Sequence, residues 1–164
     1  MSTVLQASTN IAQMPTDTNE TTQLAESLTG VLADSYVLMV KTQGVHWNVV
    51  GPPFLSLHQL TEQHYQDLFA AIDEIAERVR AIGHPAPSSI ASLISMSEIG
   101  GDVDGLDAGR MLATLIGDHE AVLRRLRAAV EVAEALRDVA SADLLTERLR
   151  FHEKAIWMLR ATAS

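Results

Sequence analysis

The chain predicts an all-α fold, four long helices in a bundle with one long connection between the second and the third. Apolar residues recur at helical spacing over four long stretches, the pattern of helices that each bury one face. Glycine and proline gather at Gly51-Pro52-Pro53 and at Gly83-His84-Pro85-Ala86-Pro87, where they end helices rather than interrupt them. No run alternates apolar and polar residues as a half-buried strand would, and no internal repeat is present.

Residues 1–21 are rich in Ser, Thr, Asn and Gln with little to bury, and predict a flexible tail ahead of a bundle domain over 22–164. From Thr22, residues Leu24, Leu28, Val31, Leu32, Leu38, Met39 and Val45 mark the buried face of a first helix, with small Ser35 and Thr42 between them. A second helix runs from about Leu55 to Ile82 on Leu57, Leu60, Leu68, Ile72, Ile75, Val79 and Ile82. The stretch from Ser88 to Leu106 is too long for a turn, and Ile90 to Met96 predicts a short helix inside it. A third long helix fits Asp107 to about Arg137, with Asp107 as its cap, and a fourth about Ser141 to Ala161. A long middle connection must travel the length of the bundle, which is the ferritin-like arrangement rather than the simple up-and-down one.

At 164 residues and 47% hydrophobic composition, one domain with its own core is expected. A net charge of −9 disfavours nucleic acid and anionic membranes and favours metal cations. The absence of cysteine excludes disulfides, thiolate metal sites and cysteine nucleophiles. No basic segment leads into an apolar one at the N-terminus, and no apolar run reaches membrane-spanning length, so a cytoplasmic location is expected.

His46, His58, Glu62, Asp73 and Glu77 carry the chemistry. His58 and Glu62, and again Asp73 and Glu77, stand four residues apart and stack on one helical face. Asp73 lies 11 positions after Glu62, roughly 16 Å along a helix axis. Neither one metal nor two metals about 4 Å apart can span that distance. The two pairs serve one site only if a second copy of the helix lies antiparallel to the first. On a helical wheel with His58 at 0°, Glu62 falls at about 40°, Asp73 at about 60° and Glu77 at about 100°, against an apolar stripe near 270°. The stripe therefore faces away from the bundle core. Phe69 lies among these ligands at about 20°, an odd residue for open water, and Asp73 and Glu77 are like charges that repel unless a cation sits between them. A two-fold contact explains both. Imidazole and carboxylate together suit Fe(II), Mn(II) or Zn(II). None of the six histidines has Glu or Asp three residues before it, so the inward di-iron motif is absent.

The run His-Trp-Asn-Val-x-Gly-x-x-Phe-x-x-Leu-His over 46–58, then Tyr65, then Asp73-x-x-Ala76-Glu77-Arg78, resembles the Dps mini-ferritins, as does Trp157-Met158-Leu159-Arg160-Ala161. The resemblance covers the chain from Thr22 onward. It implies a hollow homododecamer with a ferroxidase centre of two irons at each two-fold interface. His46, His58 and Glu62 would come from one subunit, and Asp73 and Glu77 from its neighbour. Family members often carry Asp at the position of Glu62, whose reach is one methylene longer. The implied activity is oxidation of Fe(II) by hydrogen peroxide or oxygen, with ferric mineral stored in the shell as protection against oxidative damage. Trp47 would trap stray oxidising equivalents, or else serve as interfacial packing. Acidic residues near the junction of the last two helices, Glu134, Asp138 and Asp143, would line an iron-admitting pore. DNA-binding members carry basic tails, whereas this tail holds Asp17 and Glu20 and no basic residue. Weak or absent DNA binding is expected.

Two readings compete with iron oxidation: a nucleoid-compacting DNA-binding shell whose iron oxidation is incidental, and a structural bundle with a coincidental acidic stripe. His64 falls in the apolar stripe and is expected in the core; His119 and His152 are expected at surface or core positions without a metal. Arg124, Arg125 and Arg127, interleaved with Glu120, Glu131 and Glu134, predict a salt-bridged surface.

Overall fold

The computed structural model describes residues 18–162. In order these form α1 (Thr18–Asn48), α2 (Phe54–Ala81), α3 (Ile90–Met96), α4 (Ala108–Ala135) and α5 (Val139–Thr162). Helix α1 starts four residues earlier than the polar composition suggested, at Thr18. The rest of the expected tail lies outside the described residues. The short crossover helix stands where the apolar run placed it, capped by the Ser89 side chain, which accepts from the Ser92 N–H. The Asp107 carboxylate accepts from the Arg110 N–H and starts α4.

Helices α1 and α2 form one hairpin and α4 and α5 another, joined mainly by α1 against α4. The core they enclose includes Leu28, Val31, Leu38, Leu57, Leu68, Ile75, Leu115, Leu126, Leu145 and Leu159, all fully buried. At the end of α2 the Gly83 N–H donates to Arg80 and the His84 N–H to Val79, with Gly83 at φ +93°. The same double closure ends α4 through the N–H groups of Arg137 and Asp138, but there the left-handed position is held by Arg137, at φ +56°. Among the described residues no helix is long and apolar enough to cross a membrane.

Buried charge pins the crossover. Asp34 of α1 is wholly enclosed and accepts from the Ser97 hydroxyl at 2.8 Å and the Glu98 N–H at 2.7 Å, with Arg125 at 3.3 Å. Burial pushes the Asp34 carboxyl above its ordinary range, against those hydrogen bonds and the Arg125 charge. Lys41 reaches Asp118 at 2.8 Å and donates to the Gly100 carbonyl at 2.7 Å. Arg125 thus bridges inward to Asp34 and outward to the exposed Glu98, which it meets at 2.7 Å. Arg127 does meet an acid at the surface, though it is Glu153.

His64, His119 and His152 all lie in the core, where helical spacing alone left the last two undecided.

Candidate metal centre

Where α1 gives way to α2, a short turn brings two imidazoles face to face. His46 occupies the last turn of α1, Gly51 at φ +94° redirects the chain, and His58 stands in the second turn of α2. Glycine takes that backbone angle without the clash a Cβ would bring. The His46 and His58 rings stack with centroids 3.8 Å apart and planes 14° from parallel. Phe54 stacks on His58 at 5.2 Å, and the Tyr65 ring meets His46 edge-on at 5.3 Å.

Each ring is locked by the other residue's backbone. The Nδ1–H of His46 donates to the His58 carbonyl, and the Nδ1–H of His58 donates to the His46 carbonyl, both at 2.8 Å. A carbonyl only accepts, so both Nδ1 atoms carry hydrogen. In the neutral ring this leaves Nε2 with its lone pair, the tautomer that a histidine binding metal through Nε2 needs, and fixes the ring's aim. The His46 carbonyl is available for this because it belongs to the unpaired last turn of a helix. His46 is buried and His58 half-buried.

The carboxylates sit as the wheel placed them. Glu62 is half-buried, while Asp73 and Glu77 are exposed on the outer face of α2 beside Phe69, itself 69% exposed. Within one copy, no three His, Asp or Glu side chains among the described residues converge closely enough to hold an ion. The chain thus unites His46 with His58 and leaves the acidic pair further along α2. Near the turn between α1 and α2, Trp47, Val50, Phe54 and Leu55 are also exposed. Trp47 lines a largely apolar cleft of about 420 Å³ with Tyr36, Val40, Ile90, Ile94 and Val103. Phe54 and Tyr65 fall at about 320° and 340° on the same wheel, flanking His58, so their place beside the site was readable.

The three acidic residues at the α4–α5 junction differ from one another. Glu134 and Asp143 are exposed. Asp138 holds the Arg78 guanidinium through both oxygens, at 2.7 and 2.6 Å, and accepts from the Ser141 N–H and hydroxyl at the start of α5. Burial acts to raise its carboxyl, but the hydrogen bonds from Ser141 and Arg78 and the Arg78 charge outweigh it and hold Asp138 below the usual range.

The ferritin-like domain profile matches residues 25–164. A DNA protection during starvation protein (Dps) from Bacillus anthracis is 36% identical over 139 residues, covering 85% of this chain and 95% of the relative. This chain belongs to the Dps family. A low temperature-induced protein from Nostoc sp. is 47% identical over 134 residues, 79% of this chain and 74% of its own length. The crystal structure of Dps from Vibrio cholerae, described as a member of a broad superfamily of ferritin-like diiron-carboxylate proteins, superposes with a TM-score of 0.85 at 30% identity, covering 90% of this chain and 93% of that one. The all-helical bundle with a short crossover helix is therefore the Dps fold, and the family supports a role in iron storage and protection.

Proposed function

We propose that this Dps chain is a ferroxidase whose active sites form between two copies at a two-fold axis, within a hollow homododecamer that stores the ferric product. The observation that carries the reading is the reciprocal locking of His46 and His58, which leaves two Nε2 atoms as ligands on a face rich in carboxylate. Fe(II) is the substrate. His46, His58 and Glu62 of one copy and Asp73 and Glu77 of the other hold two irons per site. Nitrogen and oxygen donors accept Fe(II), and three carboxylates retain the Fe(III) product. Two Fe(II) ions each give up one electron, and hydrogen peroxide accepts the pair as its O–O bond cleaves to two hydroxides. Oxygen is the alternative oxidant. Delivery of both electrons at one site avoids the single-electron step that would release hydroxyl radical, and Trp47, next to His46 in the chain, would trap stray oxidising equivalents.

Glu134 and Asp143 are the acidic groups suited to drawing Fe(II) through a pore. Asp138 serves instead as the joint between α2 and α5. The protein acts in the cytoplasm and binds DNA weakly or not at all, because the −9 chain offers few charges to displace counterions; tight retention of duplex in a gel shift at neutral pH would contradict this. The ferroxidase reading is tested by stopped-flow absorbance after mixing Fe(II)-loaded anaerobic protein with peroxide. A fast ferric phase is expected in the native protein and lost in the His46→Ala, Asp73→Ala double variant; an unchanged phase sinks the proposal.

A further inference from the structure

Three histidines outside the proposed iron site share the bundle core: His64 on α2, His119 on α4 and His152 on α5. His119 is 0% exposed and His152 1%. Their Nδ1 atoms are 2.8 Å apart, a direct hydrogen bond that joins α4 to α5. One nitrogen must donate and the other accept, so the bond needs at least one unprotonated Nδ1. Their ring centroids are 5.0 Å apart, and His64 meets His119 edge-on at 5.8 Å. The Phe151 ring borders all three. The Nε2 of His119 has no hydrogen-bond partner among the described residues, so a proton added there finds no acceptor.

The surrounding charges offer no relief. From α5, Arg148 places its guanidinium over Phe151 and adds positive charge, and Lys154 adds more beside His64. From α2, Asp67 faces the cluster, but it is 43% exposed and already bound to Arg148 at 2.6 Å. Asp118, next to His119 on α4, is engaged by Lys41 of α1.

We propose that the His119–His152 pair is an acid-sensitive clasp between α4 and α5, closed while the rings are neutral and forced open when both are protonated, so that acidification loosens α5 from the bundle. With both rings cationic, both Nδ1 atoms become donors, the hydrogen bond is lost, and two like charges stand in an apolar core. Burial holds His119 down to about 3 and His152 well below its ordinary value, so the clasp stays shut at neutral pH. The opened segment takes up protons at the ordinary histidine value of about 6.5, so two protons accompany opening below that pH. Opening then rises by up to roughly 100-fold per pH unit.

Hydrogen exchange of the full-length protein, read by mass spectrometry from about pH 7 to about pH 4.5 and corrected for intrinsic rates, tests the clasp. In the native protein, α5 peptides should lose protection ahead of α1 peptides. In the His119→Gln, His152→Gln variant, that selective loss should vanish. Parallel loss in α5 and α1, or the same selective loss in the variant, overturns the proposal. If the variant does not fold, ring-carbon NMR titration of the native protein decides. Ring signals of His119 and His152 that titrate near the ordinary value while α5 stays ordered refute the clasp. Signals that remain neutral until α5 opens support it.

Discussion

A site shared between two copies should be restorable by mixing two dead halves. His58 and Asp73 are 15 residues apart on one helix, roughly 22 Å at the helical rise, so no single chain brings them to one iron. His58→Ala and Asp73→Ala should each abolish the fast ferric phase alone. In a mixed pair, one site combines both defects, because it takes the missing histidine from one copy and the missing aspartate from the other. The second site is wholly native. Random association makes half the pairs mixed, and each mixed pair holds one intact site of two, so co-expression should restore roughly a quarter of the native fast-phase amplitude. The assay is stopped-flow ferric absorbance on material refolded or expressed together, with native mass spectrometry confirming that hybrids form. If hybrids form and no fast phase returns, or if either variant alone keeps the full phase, the two-copy reasoning is wrong.

Two further predictions concern the joint between α4 and α5. Arg137 occupies the left-handed position that closes α4, so Arg137→Gly should stabilise the fold by about 1 kcal/mol, seen as a raised denaturant midpoint; a loss of stability would show that the Arg137 side chain matters more than its backbone angle. Arg78→Leu should cost about 1–2 kcal/mol at neutral pH, discounted because both partners of the Arg78–Asp138 pair remain partly exposed. The folded Asp138 carboxyl lies below its unfolded value of 3.8, so its contribution is present above that pH and disappears as the pH falls through the folded value. The gap between native protein and variant in thermal melts should therefore narrow in strong acid, and a gap independent of pH would remove the ion pair as its cause.

Much of this fold was legible because helices report themselves locally. Ile90 to Met96 was readable as a helix inside the crossover, since seven residues with apolar spacing between Pro87 and Gly100 leave few other options. The start of α1 at Thr18 was missed because polar residues mark both tails and exposed first turns. That Asp138 holds Arg78 was not readable from the sequence, because the two lie 60 residues apart and no spacing rule links them. Arg125 read as surface for the same reason: Asp34 receives it from across the bundle.

What the chain alone determined is one-dimensional: a helical rise of about 1.5 Å per residue separates Glu62 from Asp73 too widely for one ion, and a 3.6-residue period turns the acidic stripe outward. Only the tertiary structure decided which nitrogen of His46 and His58 keeps its lone pair, because that follows from carbonyls brought together by the turn at Gly51. It alone decided that His119 and His152, 33 residues apart, share one hydrogen bond. Periodicity tells a residue which side of its helix it occupies; its neighbour across the core is set by how whole helices meet.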